Sequence, residues 1–389
     1  MEIRPLGAAD RDAVRDIGAR AFGPVPDEEW ERRGETARPT WEAGRWFGGF
    51  DGGRIVAAGA LHDITQWWHG RGVSAAGVGG VAVAPEERGR GLGRRLTADL
   101  LRRCAEFGHP LAVLYPATTP LYRSLGWEHA GAQHHVELRT EALRTIAAEP
   151  VPVRRAGPGD AAEAAAVVGA VHAAARDSGP VGWEPARWRG MLGGRDDYAY
   201  LAEDGFLSYR WAEDGSRLEV TRLVASSERT LRALWSLVGS GSSTAETVRA
   251  CVSPLDPVLW LTRERGPYAL HRTPWMLRVV DAPAAIAARG YPAGAAAEAE
   301  LSIDDPQLPA NSGHWRLTVR NGEGRLEPSR ESARALRLGP RGIAALYAGV
   351  PAATLYRSGL LHGADPEALR DAEALSAAFA ATPFSLDYF

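Results

Sequence analysis

At 389 residues the chain has room for two or three domains, and its 45% hydrophobic and 24% charged content is that of a globular protein. The net charge of −3 gives no reason to expect a nucleic-acid partner, and no run of 18 or more apolar residues argues for a membrane span. The basic residues are all arginine, and two cysteines, Cys104 and Cys251, are too few for a disulfide framework and suit a reducing cytosol.

The first residues carry Glu2, Arg4 and Asp10 rather than the apolar core of a signal peptide, so a cytoplasmic protein is expected. Residues 1–6 read as a strand and 8–22 as a helix with Val14, Ile17, Ala21 and Phe22 on one face. A Pro-, Glu- and Trp-rich segment reaches to about residue 46. Strands are predicted at 46–51, 54–62 and 73–84, with Asp51-Gly52-Gly53 as a hairpin turn. Next comes a helix with Leu92, Leu96, Leu100 and Cys104 in one stripe, ended by Gly108, and then a short apolar strand from Leu111 to Tyr115.

Between the third strand and that helix lies Arg88-Gly89-Arg90-Gly91-Leu92-Gly93-Arg94. Its glycines let backbone approach a ligand, and the helix it opens directs N–H groups and the positive end of the dipole at one point. That combination suits a pyrophosphate. A Walker loop needs Gly-Lys followed by Ser or Thr, which is absent. A dinucleotide fingerprint needs G-x-G-x-x-G and an acid about 20 residues on, whereas Gly108-His109 stands there. R-x-x-G-x-G after an apolar strand instead resembles the acetyl-CoA motif of the GNAT acetyltransferases.

The opening pattern returns later. Ile3-Arg4 with Asp10 is echoed by Val153-Arg154 with Asp160, each leading into an Ala-rich helix. Leu218 to Ala225 reads as a strand followed by a helix at about 228–239, but Ser226, Ser227 and Glu228 replace the glycines. This predicts a second copy of the fold without its phosphate cradle. Asp281-Ala282-Pro283 opens a third region with a Pro/Gly/Ala-rich connection at 291–299. Strands follow at 300–303, 314–320 and 324–327, an Asn321-Gly322 hairpin, and helical stretches at 339–348, 352–358 and 365–380. That region resembles a sterol-carrier-like domain.

Acetyl transfer to an amine requires CoA held by its phosphates, a polarised carbonyl, an amine with a free lone pair and a proton for the departing thiolate. Val81 to Val83 offer strand-edge N–H groups for the carbonyl, or are simply sheet core. Leu121-Tyr122-Arg123-Ser124-Leu125-Gly126-Trp127 resembles the Y-x-x-x-G-aromatic signature of GNAT enzymes, which makes Tyr122 the candidate general acid. An ordinary phenol titrates near ~10 and a thiol near ~8.5. The motif strand carries no glutamate base, and Glu86 and Glu87 read as surface charges.

Together, Gly77-Val78-Gly79-Gly80-Val81-Ala82-Val83-Ala84-Pro85, the degenerate second copy and the sterol-carrier-like tail resemble the Eis family of aminoglycoside N-acetyltransferases. The resemblance implies an α/β (α+β) chain of tandem GNAT folds plus a C-terminal unit, with units at 1–135, 136–280 and 281–389. It implies acetyl-CoA as co-substrate, contacted by Val81, Ala82, Val83, Arg88, Gly89, Arg90, Gly91, Leu92, Gly93, Arg94, Ala117 and Thr118. It also implies that the α-carboxylate of Phe389 folds back as general base and that the protein is a homo-oligomer, a hexamer; His62 and His69 have no metal-ligand spacing with the cysteines, so no metal is expected. A bulky polyamine is the implied substrate, held by Asp27, Glu28, Glu29 and Glu31 with Trp30, Trp41 and Trp46, although these acids are equally a solvated helix face. Tyr388, where mycobacterial members have an acid, and Tyr115, where they have a histidine, depart from the pattern and bear on aminoglycoside use. Trp67, Trp68, His62 and His69 read as a hairpin or a subunit contact. Two other readings stay open: acetylation of protein lysines or another small amine, and binding of an apolar ligand under acetyl-CoA control.

Overall fold

The computed structural model describes residues 1–194, 196–262, 270–363 and 366–389. The first unit opens with β1 (Glu2–Pro5) and α1 (Arg11–Phe22), which turns Val14 and Ile17 inward while Phe22 stays exposed. Most of the Pro-, Glu- and Trp-rich segment is a helix, α2 (Asp27–Glu42). β2 (Trp46–Asp51), β3 (Arg54–Trp68) and β4 (Arg71–Val83) form an antiparallel meander. β3 runs past its predicted end at 62 because His62, Ile64, Gln66 and Trp68 continue the buried alternation. α3 (Leu92–Glu106) buries the predicted leucine and cysteine stripe against β3 and β4. β5 (Leu111–Leu114), α4 (Thr119–Arg123), β6 (Glu128–Arg139) and α5 (Thr140–Arg144) complete the unit.

The second region repeats the opening. β7 (Arg154–Ala156) and α6 (Ala161–Ala174) stand as β1 and α1 do, and the echoed aspartates have the same task. Asp10 accepts from the Gly7 N–H at 2.9 Å and Asp160 from the Gly157 N–H at 2.8 Å. Then come β8 (Val181–Gly182), α7 (Pro185–Met191), β9 (Asp197–Ala202), β10 (Gly205–Trp211), β11 (Arg217–Ala225), α8 (Glu228–Gly239), β12 (Thr247–Val252), α9 (Val258–Leu261) and β13 (Leu270–Val279). The two units share one sheet, in the order β1-β2-β3-β4-β5-β13-β6-β12-β11-β10-β9-β7. β13, late in the second region, therefore sits between two strands of the first.

The third unit has α10 (Ala282–Ala288), β14 (Ala297–Ile303), β15 (Gly313–Arg320), β16 (Glu323–Pro328), β17 (Leu336–Leu338), α11 (Pro340–Tyr347), α12 (Ala352–Arg357), β18 (Leu361–His362) and α13 (Pro366–Phe379). β14 begins inside the stretch read as a connection, since Ala297, Ala299, Leu301 and Ile303 alternate into the core. The predicted start of the last helix at 365 lies outside the described residues. Its sheet runs β16-β15-β14-β17-β18. Its interior is filled by Leu317, Val319, Ile343, Leu375 and the aromatic rings around Arg289, whose guanidinium donates to the carbonyls of Tyr347 and Phe379. Arg278 on β13 and Asp305 form a buried ion pair at 2.6 Å that joins this unit to the large sheet. The chain then leaves the third unit as β19 (Phe384–Ser385), lies parallel on β6, and carries its last residues back into the first unit.

Candidate active site

β4 and β5 pair only from Ala75 to Gly77 against Leu111 to Val113. Beyond that point the two strands part, and the N–H and C=O groups of β4 from Val78 onward are free on that side. The gap opens into a cavity of about 1170 Å³ whose lining includes Val78, Gly79, Gly80, Val81, Ala82, Tyr115, Ala117, Tyr122 and the segment Leu386 to Phe389. Of the predicted strand contacts, Val81 and Ala82 face the cavity while Val83 packs with the first unit's core. Ala117 lines the cavity, and Thr118 is the exposed residue that precedes α4.

The glycine turn lies outside the cavity, at the surface. Gly89 and Gly91 have φ of +80° and +72°, conformations that side-chain-bearing residues rarely adopt, and nothing lies within 4 Å of where their Cβ atoms would be. Arg88 is exposed and makes no ion pair among the described residues; Arg94 reaches only the Ser124 hydroxyl, at 3.4 Å. Arg90 is different: it pairs with Glu87 and with Asp51, so two carboxylates already hold it. Leu92 is buried under the turn, and Gly93 sits in the first turn of α3 against Val83. An open helix start flanked by two uncommitted guanidiniums, next to a free strand edge, fits a CoA pyrophosphate and pantetheine.

Tyr122 is 5% exposed and stacks edge-on against Trp127. Burial, with a further push from Tyr388, moves its phenol up to about 12, so it carries its proton at neutral pH. Against a thiol near ~8.5, complete transfer of that proton runs uphill. A phenol in this state can donate a hydrogen bond to a developing thiolate, and that bond strengthens as the sulfur is itself desolvated.

The Phe389 end is docked by several independent contacts. The Asp387 carboxylate accepts from Trp183 Nε1 at 2.9 Å and from Arg222 at 2.5 Å. The Asp387 carbonyl accepts from Tyr115 Oη at 2.6 Å, and the Leu386 carbonyl from Gln133 at 3.3 Å. The Phe389 ring lies against Tyr115 and Trp183. It rests on bare backbone: a Cβ at Gly77 would stand 3.0 Å from the ring, and one at Gly79 would stand 3.4 Å from the carboxyl carbon. The residues that departed from the family pattern thus have a role here. Tyr115 holds the tail, and Tyr388 packs on Tyr115 with ring centroids 4.4 Å apart.

Sequence reasoning read His62 as part of a hairpin or a subunit contact and missed its place in the site. It lies on β3 of the β3–β4 hairpin and is buried, with Nε2 3.0 Å from the Gly79 Cβ position. Its Nδ1 meets Thr40 Oγ1 at 2.8 Å and an Arg187 nitrogen at 3.4 Å. A guanidinium can only donate, so we assign Nδ1 as acceptor and the proton to Nε2. Burial, then the Arg187 charge, hold its pKa well below the usual histidine range. His62 is therefore a neutral donor aimed at β4 rather than a base. The signal for it was the even-numbered inward alternation of β3. Trp183, Arg187 and Arg222 carried no comparable signal.

Of the acids expected to hold a polyamine, Glu29 lines the cavity and pairs with Arg32 and Arg33; Asp27, Glu28 and Glu31 do not line it. Trp30, Trp41 and Trp46 do, the last two stacked at 4.7 Å.

Comparison with known proteins places this geometry. Residues 2–130 and 179–279 each match a model of an acetyltransferase (GNAT) domain, and residues 282–384 match a sterol carrier protein domain. Fold and site together define a GNAT N-acetyltransferase with a second GNAT unit and a sterol-carrier unit, and enzymes of this class use acetyl-CoA as acetyl donor. The chain is 30% identical to N-acetyltransferase Eis of Mycobacterium tuberculosis over 329 residues, 78% of each chain, and it belongs to the Eis N-acetyltransferase family. A GCN5-related N-acetyltransferase from Kribbella flavida is 45% identical with a TM-score of 0.94, covering 100% of this chain and 98% of that one. Eis1 from Mycobacterium abscessus shares the fold, with a TM-score of 0.78 at 23% identity and full coverage of both chains. Among the described residues no helix is long and apolar enough to cross a membrane.

Proposed function

We propose that this protein transfers the acetyl group of acetyl-CoA directly to a primary amine of a bulky substrate, with Tyr122 as the group that meets the leaving thiolate and the Phe389 α-carboxylate as base. The observation that carries the reading is the convergence of three elements on one cavity: the free edge of β4 at Val81 and Ala82, Tyr122, and the docked Phe389 carboxyl. Acetyl-CoA supplies the activated acyl carbon. Arg88, Arg94 and the N–H groups of residues 89–93 hold its phosphates, and the β4 edge orients the thioester. The amine nitrogen forms the new N–C bond as the C–S bond breaks. Its surplus proton passes to the Phe389 carboxylate or to water, and Tyr122 donates a hydrogen bond to the sulfur.

An α-carboxylate is a weak base for an ammonium. Its main contribution is to draw the ammonium to the site; one proton leaves to water before attack, and the carboxylate or water takes the second as the neutral amine forms the N–C bond. A covalent acetyl-cysteine route is disfavoured, because burial pushes both thiols up to about 12 and Cys104 lies in the core of the first unit. Family resemblance makes an aminoglycoside the reference substrate, a hexamer the expected assembly and the cytoplasm the expected location.

The test is CoA release from acetyl-CoA across a panel of amines, kanamycin included. Wild type is run beside Tyr122→Phe and a chain lacking Phe389, and particle mass is read by light scattering. Turnover that falls in both variants supports the mechanism. Turnover that survives loss of Phe389 removes the carboxylate from the role of base.

A further inference from the structure

The lining of the cavity is cationic. Among the described residues its lining holds eight arginines against four acidic side chains, and adding the Phe389 carboxylate leaves the balance positive. Each of the four acids is already neutralised by an arginine: Glu29 by Arg33 at 2.7 Å, Asp197 by Arg32 at 3.7 Å, Glu219 by Arg210 at 2.9 Å and Asp387 by Arg222 at 2.5 Å. The remainder matters most. Of the other four, Arg15 pairs with Asp27, while Arg11 in α1, Arg187 in α7 and Arg249 on β12 make no ion pair among the described residues, and the last two belong to the second unit. Arg187 lies flat on Trp183 with its guanidinium 3.6 Å from the ring centroid, and its hydrogen bond goes to a neutral histidine, His62. Arg249 stands level with Glu219 in the strand pairing, yet that carboxylate is held by Arg210 and Arg217. Both guanidiniums sit on the second unit, and Arg187 reaches the β4 edge through His62, whose Nε2 lies 3.0 Å from the Gly79 Cβ position.

A half-buried guanidinium that no carboxylate touches has lost water without gaining an ion pair, since Asp387 and Glu184 act on Arg187 only through space, so its surroundings favour an anion that completes the fork. A polycation would meet like charge here. We propose that the physiological substrate is an amine that also carries an anionic group, a carboxylate or a phosphate, with the anion bound by Arg187 and Arg249 and the amine directed to the β4 edge and Phe389. The inference rests on the acetyltransferase reading above and names the substrate class of that same cavity.

The test compares matched amines in the CoA-release assay: 4-(aminomethyl)benzoate against benzylamine, and 6-aminohexyl phosphate against 6-aminohexanol, with kanamycin as the polycation. We expect kcat/KM to favour the anionic member of at least one pair by roughly tenfold to a hundredfold, and the pair that shows it tells carboxylate from phosphate. Arg187→Met and Arg249→Gln should each shrink that ratio, mainly through KM, and Arg187→Lys should restore part of it. Because Arg187 also packs on Trp183, thermal melts accompany each variant, and the partly exposed Arg249 supplies the readout if Arg187→Met does not fold. Preference for the neutral amines or for kanamycin, or a preference for the anion that survives both substitutions, overturns the proposal while leaving the enzyme an acetyltransferase. Absence of turnover on every amine, with acetyl-CoA still bound in calorimetry, overturns the acetyltransferase reading and this inference with it.

Discussion

Helices α3 and α8 each follow a strand of the large sheet in corresponding places of the two GNAT units, and their first turns are finished in opposite ways. At α3 the residue before the helix is Gly91, no side chain caps the N–H groups, and Arg88 stands free beside them. At α8 Ser227 accepts from the Thr230 N–H at 3.2 Å, and the Thr230 hydroxyl donates to Asp204. Burial works to raise the Asp204 carboxyl, but hydrogen bonds from Ser227 and Thr230 outweigh it and its pKa falls. The second unit has therefore placed a carboxylate of its own where the first leaves room for a phosphate. A phosphate cradle is a helix start left incomplete, and completing it from within converts a binding site into scaffold.

The comparison can be broken by substitution. Tyr122→Phe removes the proposed leaving-group donor of the first unit, and kcat should fall about 10²-fold while calorimetric affinity for acetyl-CoA holds. Gly91→Val forces a β-branched residue into a left-handed conformation that costs on the order of 1–2 kcal/mol and fills the approach to the turn, so KM for acetyl-CoA should rise roughly tenfold. Ser227→Ala at the matching place in the second unit should leave that KM alone and lower stability by about 1 kcal/mol, read from a denaturant midpoint. A rise in KM there would mean that the second turn also binds CoA.

The smallest effect sharpens the contrast through pH. Asp204 has a folded pKa below its unfolded value of about 3.9, so its contribution to stability is present above that value and is lost as pH falls through the folded one. The gap in Tm between wild type and Asp204→Asn should be widest near neutrality and close in acid. A gap that stays constant with pH would show that the carboxylate is not what completes α8.

Much of the first unit was legible from short-range pattern. The leucine stripe of α3, the glycine turn and Tyr122 are each defined within a few residues, and periodicity reports such features well. The echo of Ile3-Arg4-Asp10 at 153–160 was also readable, because in both copies the aspartate satisfies a backbone N–H only three residues away. The helical character of Asp27–Glu42 was obscured by Pro39 within the helix and by a weakly apolar face. His62 was misplaced because the strand was ended at the residue where its buried alternation continues.

By itself the sequence determined the order of the units, the open helix start and the tyrosine that follows β5, since each depends on neighbours within one or two turns of chain. Tertiary structure alone decided the charge of the cavity and the docking of the C-terminal carboxylate in it. Asp387 meets Arg222 and Trp183, Phe389 meets Gly77 and Gly79, and Arg187 meets His62, all across separations of more than a hundred residues. The family resemblance implied that acids of α2 hold a cationic substrate, and a solvated helix face was the other reading. Which of those charges face the cavity, and which are already cancelled by an arginine, is set by long-range packing that local pattern does not encode.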